Sequence, residues 1–394
     1  MSKEIKIGLF GFGCVGKGLY DVLQNSKGIT AKIHKIVVKD RHKPRPLPRE
    51  FFSYDKNDIL QDSSINLVVE LINDAEKAYQ IVTTAMKNGK SVVSANKKML
   101  AEHLEELVAL QNEHNVSLLY EASSCGSIPI IRTLEEYYDN ELLFSVSGIF
   151  NGTTNYILTK SFEEGWDYSK ALAKAQELGF AESDPTLDVE GFDAKYKLIL
   201  LTAHSFGVIC KPEEVFNYGI RSLSSFDMQY AREKGFKIKL IAQARKVAED
   251  KIAVYVMPTF IPSSSYIYQV DNEYNGVTVE AAFSEKQFFR GKGAGGHPTG
   301  SAVLSDISAS RYDYKYEYHK LKKDFGVKAV EDVELTVYFR YLKKEQFVPE
   351  QFTDIIEKYE SPRFNYVIGK ARLRDLHKKD YFKQEGTFLV EMPH

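Results

Sequence analysis

The sequence predicts an α/β protein in three parts: a doubly wound parallel sheet, a central α+β unit, and a small α+β unit at the C-terminus. Three observations carry this. From residue 5 to about residue 125, short apolar runs alternate with amphipathic helical runs, the pattern that builds a parallel sheet. From 126 to 297 that alternation gives way to helices followed by long strands, which suggests an antiparallel sheet. From 331 to 394 the chain reads strand, helix, strand, strand.

In order, "IKIGLF" (5–10) is the first strand, followed by "GFGCVG" and the amphipathic helix "KGLYDVLQN". "IHKIVV" (33–38) is the second strand and ends in the charged loop "KDRHKPRPLP". "INLVVELI" (65–72), "KSVVSANK" (90–97) and "VSLLYEA" (116–122) supply further strands, separated by the helices "AYQIVTTAMKNG" and "EHLEELVALQNEHN". This first domain is expected to span 1–125. The second, 126–297, holds helices in "IPIIRTLEEYY", "YSKALAKAQELGF" and 192–206, then strands in "KIKLIAQARKV", "KIAVYVMPTFI" and "GVTVEAAF". A glycine-rich loop opens a helix near 298–312 that is expected to return to the first domain, and "YDYKYEYHKLKKDFG" reads as a polar, tyrosine-rich connector. In the tail, "VELTVYFRYL" alternates as a half-buried strand, "PEQFTDIIEKYE" reads as a helix, and "YVIGKARLRDL" and "GTFLVEM" read as strands.

Composition excludes several classes. The 394 residues balance 52 basic against 54 acidic side chains, so no overall field favours nucleic acid or an anionic membrane. Three cysteines without CxxC spacing argue against a disulfide framework or a zinc site, and for a reducing compartment. The first residues enter a strand without a signal-peptide pattern, and no apolar run approaches the ~20 residues of a membrane span. The expected location is the cytoplasm.

Gly11, Gly13 and Gly16 form GxGxxG after the first strand and at the start of a helix. In that context the glycines allow a tight turn, close approach to a pyrophosphate, and helix–strand packing, with the phosphates at the helix N-terminus. The sheet is therefore expected to be a Rossmann-type dinucleotide fold. At the end of the second strand, Asp40 would accept ribose hydroxyls and favour NAD, whereas Lys39, Arg41, Lys43 and Arg45 would hold a 2′-phosphate and favour NADP. Four cations outweigh one carboxylate, so NADP is favoured.

Lys97 lies at the carboxyl end of a parallel strand, where such sheets bind ligands. Glu121 opens the loop "YEASSCGSIP"; spacing alone makes that loop the cap of the following helix, although an oxygen-rich turn also suits a hard cation. Asp193 and Lys197 share one face of a helix that becomes apolar all round, so a carboxylate and an ammonium are expected to be buried together. His204 and His297 have no metal-ligand spacing, and Cys14 and Cys125 have no partner base, so they read as packing or loop residues.

Together these pieces resemble homoserine dehydrogenase. The matching segments include "GLFGFGCVGKG", "SVVSANKKMLAEH", "YEASSCGSIPIIRTL", "GIFNGTTNYILT", "LGFAESDPTLDVEGFDAKYKLILL" and "FFRGKGAGGHPTGSAVLSDI"; they occur in the family's order over about residues 5–311. The resemblance implies NAD(P)-dependent interconversion of L-homoserine and L-aspartate 4-semialdehyde, supplying threonine and methionine synthesis. It implies that Lys197 is the principal acid–base residue with Asp193 beside it, and that Lys97 bridges nicotinamide and substrate. Glu182 and Asp188 would line the amino-acid pocket, and Thr153 with Gly152 would lie where substrate and nicotinamide meet. The cofactor would take Phe12, Cys14 and Val15 with the three glycines, then Lys39, Asp40, Arg41, Ile72, Asn73 and Gly295. Glu121, with oxygens at Ser124, Gly126 and Ile128, would hold a sodium or potassium ion. A homodimer through the central sheet is implied as well.

The chemistry is consistent with this. Oxidising an alcohol requires a group that takes the hydroxyl proton, and burial makes an ammonium a better proton donor while a neighbouring carboxylate orients it. Departures are visible too. "INDAE" stands where relatives carry paired glycines, and the catalytic part begins at residue 1, so a monofunctional form is expected. The tail looks ACT-like, yet a Lys-rich, glycine-free stretch (343–351) replaces the usual ligand-binding turn, which predicts a structural tail. A related aldehyde dehydrogenase would need a paired cysteine nucleophile, and a mere dinucleotide sensor would not need Lys97, Glu182, Asp193 and Lys197 together.

Overall fold

The near-continuous apolar runs of the N-terminal third form strands covered on both faces, as a parallel sheet requires. The computed structural model describes residues 4–323, 325–378 and 380–393. They form two compact units: residues up to Asp139 with Lys292–His319, and Asn140–Gly291 with Lys320 onward.

The first unit contains β1 (Ile5–Phe10), β2 (Ala31–Val37), β3 (Phe52–Ser53), β4 (Leu67–Glu70), β5 (Ser91–Ser94) and β6 (Leu118–Leu119). They lie in the order β3-β2-β1-β4-β5-β6, every pair parallel. The order reverses at β1 and β4, so the carboxyl ends of those strands flank the crevice where such sheets bind ligands. The helix Gly296–Ser310 lies in this unit against the helix Cys14–Asn25. Their backbones meet so closely that a Cβ on Gly18 would stand 2.0 Å from the carbonyl oxygen of Gly296. Only glycine fits there.

The tyrosine-rich connector is a buried strap rather than a polar link. Tyr316 and Tyr318 are fully buried, Gln111 donates to the Tyr316 carbonyl at 3.0 Å, and the hydroxyls of Tyr120 and Tyr318 meet at 2.9 Å. The unit also continues past the expected boundary at 125 to Asp139. Glu121 caps residues 131 and 132 and Glu135 accepts the Tyr318 N–H at 2.6 Å, which fastens that segment to the sheet. The helix expected there is short, residues 131–137, and π-helical over Thr133–Tyr137.

The second unit contains β7 (Leu143–Ile149), β8 (Phe216–Asn217), β9 (Phe236–Ala248), β10 (Lys251–Pro262), β11 (Tyr274–Ala281), β12 (Glu285–Lys292), β13 (Lys328–Ala329), β14 (Glu334–Tyr341), β15 (Asp354–Glu360), β16 (Asn365–Arg372) and β17 (Phe388–Glu391). One mixed sheet runs β12-β11-β7-β9-β10-β17-β14-β16-β15, with β8 and β13 also paired to β10. The tail is therefore not the separate unit expected over 331–394. β17 pairs with β10 at Thr259 and Glu391, and Tyr338 and Tyr366 share an aromatic cluster with Tyr230 and Phe260. Arg340 makes a fully buried ion pair with Asp227 at 2.8 Å.

The helix expected at 349–360 is also wrong: after a turn at Pro349–Gln351 the chain forms edge strand β15, paired antiparallel to β16. Pairing overrides the helical pattern, with Tyr359 stacked on Tyr366 and the Tyr366 hydroxyl donating to Glu357 at 2.6 Å. β7 and β12, which the sequence reading did not mark, complete the other edge.

Candidate active site

In the first unit, β1 ends in the glycine loop. Gly11 has φ +94°, and a Cβ there would lie 2.6 Å from the Leu71 carbonyl oxygen; a Cβ on Gly16 would lie 2.5 Å from that of Gly11. At Gly13 a Cβ would meet nothing within 4 Å, so this stretch of backbone faces open space at the helix N-terminus. That is the cradle a pyrophosphate needs. Cys14 is exposed at the first turn; Phe12 packs edge-on to Tyr20 and Phe52. Gly295, with φ +122°, caps the start of the returning helix.

In the loop after β2, one oxygen of Asp40 accepts the backbone N–H groups of His42 and Lys43, bonds that hold its carboxyl below the usual range despite full exposure. Arg45 donates to the carbonyls of Asp40 and Lys43, and Arg41 stacks over Tyr54 at 4.9 Å. Asp40 thus shapes its own turn among cations. After β4, Ile72 is partly buried, Asn73 is exposed, and Asp74 caps the helix Ala75–Lys87. Lys97 is half-buried as the first residue of the helix Lys97–His114, whose cap is Asn96.

Glu121 is 2% exposed, and its two carboxylate oxygens accept the N–H groups of Ile131 and Arg132 at 2.9 and 2.8 Å. This is the capping role that spacing alone suggests. Desolvation raises its pKa, and Asp306, whose Oδ2 accepts the Glu121 N–H at 2.9 Å, is raised further by burial and by the Glu121 charge. The Ile128 carbonyl accepts from Ile130, Gly126 has φ +60°, and the buried Ser124 hydroxyl has no hydrogen-bond partner among the described residues. Among the described residues no three His, Cys, Asp or Glu side chains gather to hold a metal ion, and no helix is long and apolar enough to cross a membrane.

In the second unit, the helix Phe192–Phe206 is buried from Asp193 to its end. Lys197 donates to Asp193 Oδ2 at 2.7 Å and to the Phe150 carbonyl at 2.7 Å. Asn151 joins the carboxylates: its Nδ2 donates to Asp193 at 2.9 Å and to Asp188 at 2.7 Å. Its Oδ1 accepts the Thr154 N–H at 2.8 Å, capping the helix Gly152–Glu163. Gly152 is required because a Cβ would stand 2.6 Å from the Glu273 carbonyl oxygen. Thr153 donates its hydroxyl to the Phe180 carbonyl at 2.6 Å.

The structure thus brings Asp188, Asp193 and Lys197 together. Glu182 is exposed, and no hydrogen bond of its carboxylate is seen among the described residues. Asn151 and the Phe150 carbonyl were missed from sequence, although an asparagine directly before "GTTN" is a helix-cap signal. His204 is buried in the Lys197 helix and His297 is exposed near Asp21.

A six-stranded parallel sheet with a glycine loop at its switch point, in a chain that also buries a lysine–carboxylate set, defines the class: a dinucleotide-dependent oxidoreductase. Known proteins narrow it. A family profile described as homoserine dehydrogenase matches residues 129–308, and one described as its NAD binding domain matches 11–121. Homoserine dehydrogenase of Helicobacter pylori is 35% identical over 98% of this chain and 93% of its own length. That of Lactococcus lactis is 40% identical over 77% and 73%. The crystal structure of a homoserine dehydrogenase from Thiobacillus denitrificans superposes with a TM-score of 0.86 at 30% identity, covering 99% and 98% of the two chains. A hyperthermophilic archaeal homoserine dehydrogenase, solved with NADPH, matches at 25% identity and TM-score 0.68 over 80% and 99%. The chain belongs to the homoserine dehydrogenase family.

Proposed function

We propose that this enzyme interconverts L-homoserine and L-aspartate 4-semialdehyde, with NADP preferred, in a cytoplasmic route toward threonine and methionine. The observation that supports this best is the buried Lys197–Asp193–Asn151–Asp188 set. Two of the three N–H directions of Lys197 go to Asp193 and Phe150, and with no further partner seen among the described residues the third would meet a substrate oxygen. When the amine is neutral, that direction carries the lone pair that takes the hydroxyl proton; when protonated, it returns the proton to the carbonyl. The bound dinucleotide supplies the hydride acceptor and donor. Asp193 fixes the lysine, Asp188 and the unpaired Glu182 hold the substrate ammonium, Thr153 and Gly152 border the reacting end, and Lys97 relays the proton.

The test is nicotinamide absorbance with homoserine against other amino alcohols, each with both dinucleotides. Turnover is expected with homoserine; none with either dinucleotide would reject the activity.

The glycine loop fits the pyrophosphate, with Gly11, Phe12, Gly13, Cys14, Val15 and Gly16 around it. Ile72, Asn73 and Gly295 would line the rest. Because Asp40 is engaged in its turn, Lys39, Arg41, Lys43 and Arg45 dominate the ribose end. Neutralising Arg41 and Lys43 together should weaken NADP about tenfold or more and NAD much less, since only NADP carries the 2′-phosphate. Equal losses in the two binding titrations would assign these cations to solvent.

A sodium or potassium ion suits the Glu121 loop on electrostatic grounds. Two buried carboxyls, Glu121 and Asp306, raise each other's cost, and the buried Ser124 hydroxyl of the same loop has no hydrogen-bond partner among the described residues. Glu121, Ser124, Gly126 and Ile128 would hold the ion; the reaction needs no step through it. The melting temperature should rise in sodium or potassium chloride relative to choline chloride, and Glu121→Gln should abolish the difference. Identical melting in all three salts counts against the ion. The homodimer implied by the resemblance belongs to the same reading, and sedimentation of the full chain checks it.

A further inference from the structure

The turn that carries Lys97 is held by a carboxyl group that the scheme above leaves unused. Glu70, the last residue of β4, is fully buried. Its Oε1 accepts the Ile72 N–H at 2.7 Å and its Oε2 accepts the Ser94 hydroxyl at 2.6 Å. Ser94 ends β5, and its Oγ accepts the Asn96 N–H at 3.1 Å. Asn96 donates from Nδ2 to the Ile72 carbonyl at 3.0 Å, and its Oδ1 accepts the Met99 N–H at 3.0 Å, capping the helix that begins with Lys97. The Ala95 N–H donates to the Glu70 carbonyl at 3.2 Å. The bonds close a ring through Glu70, Ser94, Asn96 and Ile72. It locks the loop after β4 to the loop after β5 at the carboxyl end of the sheet.

Such a ring is costly. Burial pushes the Glu70 carboxyl up to about 7, against the pull of the Ser94 and Ile72 hydrogen bonds. Apolar side chains would fill the same space without desolvating a charge. What they lack is a pair of oxygens that grips two loops at once. One of those loops presents Lys97, and the other carries Ile72 and Asn73, which the proposed function gives to the dinucleotide.

We propose that Glu70 is a positioning residue for the reaction, setting Lys97 and the Ile72 loop in one arrangement through Ser94 and Asn96. The role rests on the reading of Lys97 as a proton relay. A glutamine at 70 keeps one acceptor oxygen and turns an amide N–H toward Ser94, so the Ser94 hydroxyl loses its acceptor and the ring is weakened while the volume stays. Small misplacement of a reacting group is enough to slow turnover strongly.

The test is a double-mutant cycle in the full chain with Glu70→Gln, Lys97→Ala and the two combined. Each is read as kcat, KM for homoserine, and dinucleotide Kd by fluorescence titration. Glu70→Gln should lower kcat about tenfold or more, leave the dinucleotide Kd within about threefold, and cost little further in the Lys97→Ala background. Multiplicative losses in the combined variant, or normal kcat in Glu70→Gln, overturn the proposal while leaving Lys97 in place. Normal turnover in Lys97→Ala alone overturns the relay reading, and the role of Glu70 falls with it. If Glu70→Gln does not fold, Ser94→Ala opens the same ring with the carboxyl intact, and the cycle is run with that variant under the same criteria.

Discussion

Replacing Lys197 by alanine is expected to lower turnover by ~10²-fold or more, the range of general acid–base contributions, while dinucleotide affinity stays near normal. The reason is the geometry of the helix Phe192–Phe206. Lys197 is 7% exposed, and its ammonium is held between Asp193 and the Phe150 carbonyl, so bulk water has little access to replace it as a proton carrier. The dinucleotide residues lie in the other unit, and nothing in the substitution disturbs the glycine loop. Removing the lysine also takes from Asp193 its ammonium partner while Asn151 still donates to it, so the fold should be checked by melting before rates are read. Asp193→Asn should slow turnover as well, because the lysine loses its orienting charge. Single-turnover rates of Lys197→Ala at neutral pH settle the matter; near-normal values would sink the assignment.

Arg340→Ala should destabilise the second unit by roughly 3–5 kcal/mol, the usual loss when one partner of a buried ion pair is removed. Asp227 is 0% exposed; it accepts from Ser224 on one oxygen and from Arg340 and Tyr338 on the other. Arg340 also donates to the carbonyls of Gly386 and Ser222, so its loss takes a donor from three acceptors and the compensating charge from Asp227. Deleting residues 331–394 goes further, since it removes Glu391 from the buried Tyr255 hydroxyl, to which it is bonded at 2.7 Å, and uncovers β10. The truncated chain is therefore expected to aggregate rather than to persist as an active core.

The same tail should give threonine little hold. Just after β14, the N–H groups of Leu342 and Lys343 donate to the side chain of Gln346, which itself donates to the Glu385 carbonyl. The two amides at the position where an amino-acid carboxylate would bind are already used. Urea unfolding of Arg340→Ala and steady-state assays with millimolar threonine test the two halves. Strong threonine inhibition, lost on truncation of a soluble and active remainder, would reverse the structural reading of the tail.

Several of these features could be read from the sequence because their physics is local. GxGxxG between a strand and a helix is a statement about backbone φ and close approach within six residues, and the structure places the positive φ at Gly11 and tight contacts at Gly11 and Gly16 as that spacing demands. Asp193 and Lys197 had to share a face because the helical period puts i and i+4 together, and the apolar run after them announced burial. The alternation of strands and helices along the first third followed from the same kind of periodicity.

What chain-local patterns do not carry is the identity of partners far away in sequence. Asn151 meets Asp193 across 42 residues, and Arg340 meets Asp227 across 113. No period or spacing encodes those meetings. "PEQFTDIIEKYE" has helical spacing, yet its last seven residues form β15, because β16 offers a row of backbone partners that an isolated helix does not. The tail was separable on paper and is inseparable in space for the same reason: β17 and β14 pair with what lies beside them. Local propensity proposes an element, but a buried charge or an open strand edge is satisfied only by whatever tertiary neighbour the whole fold delivers.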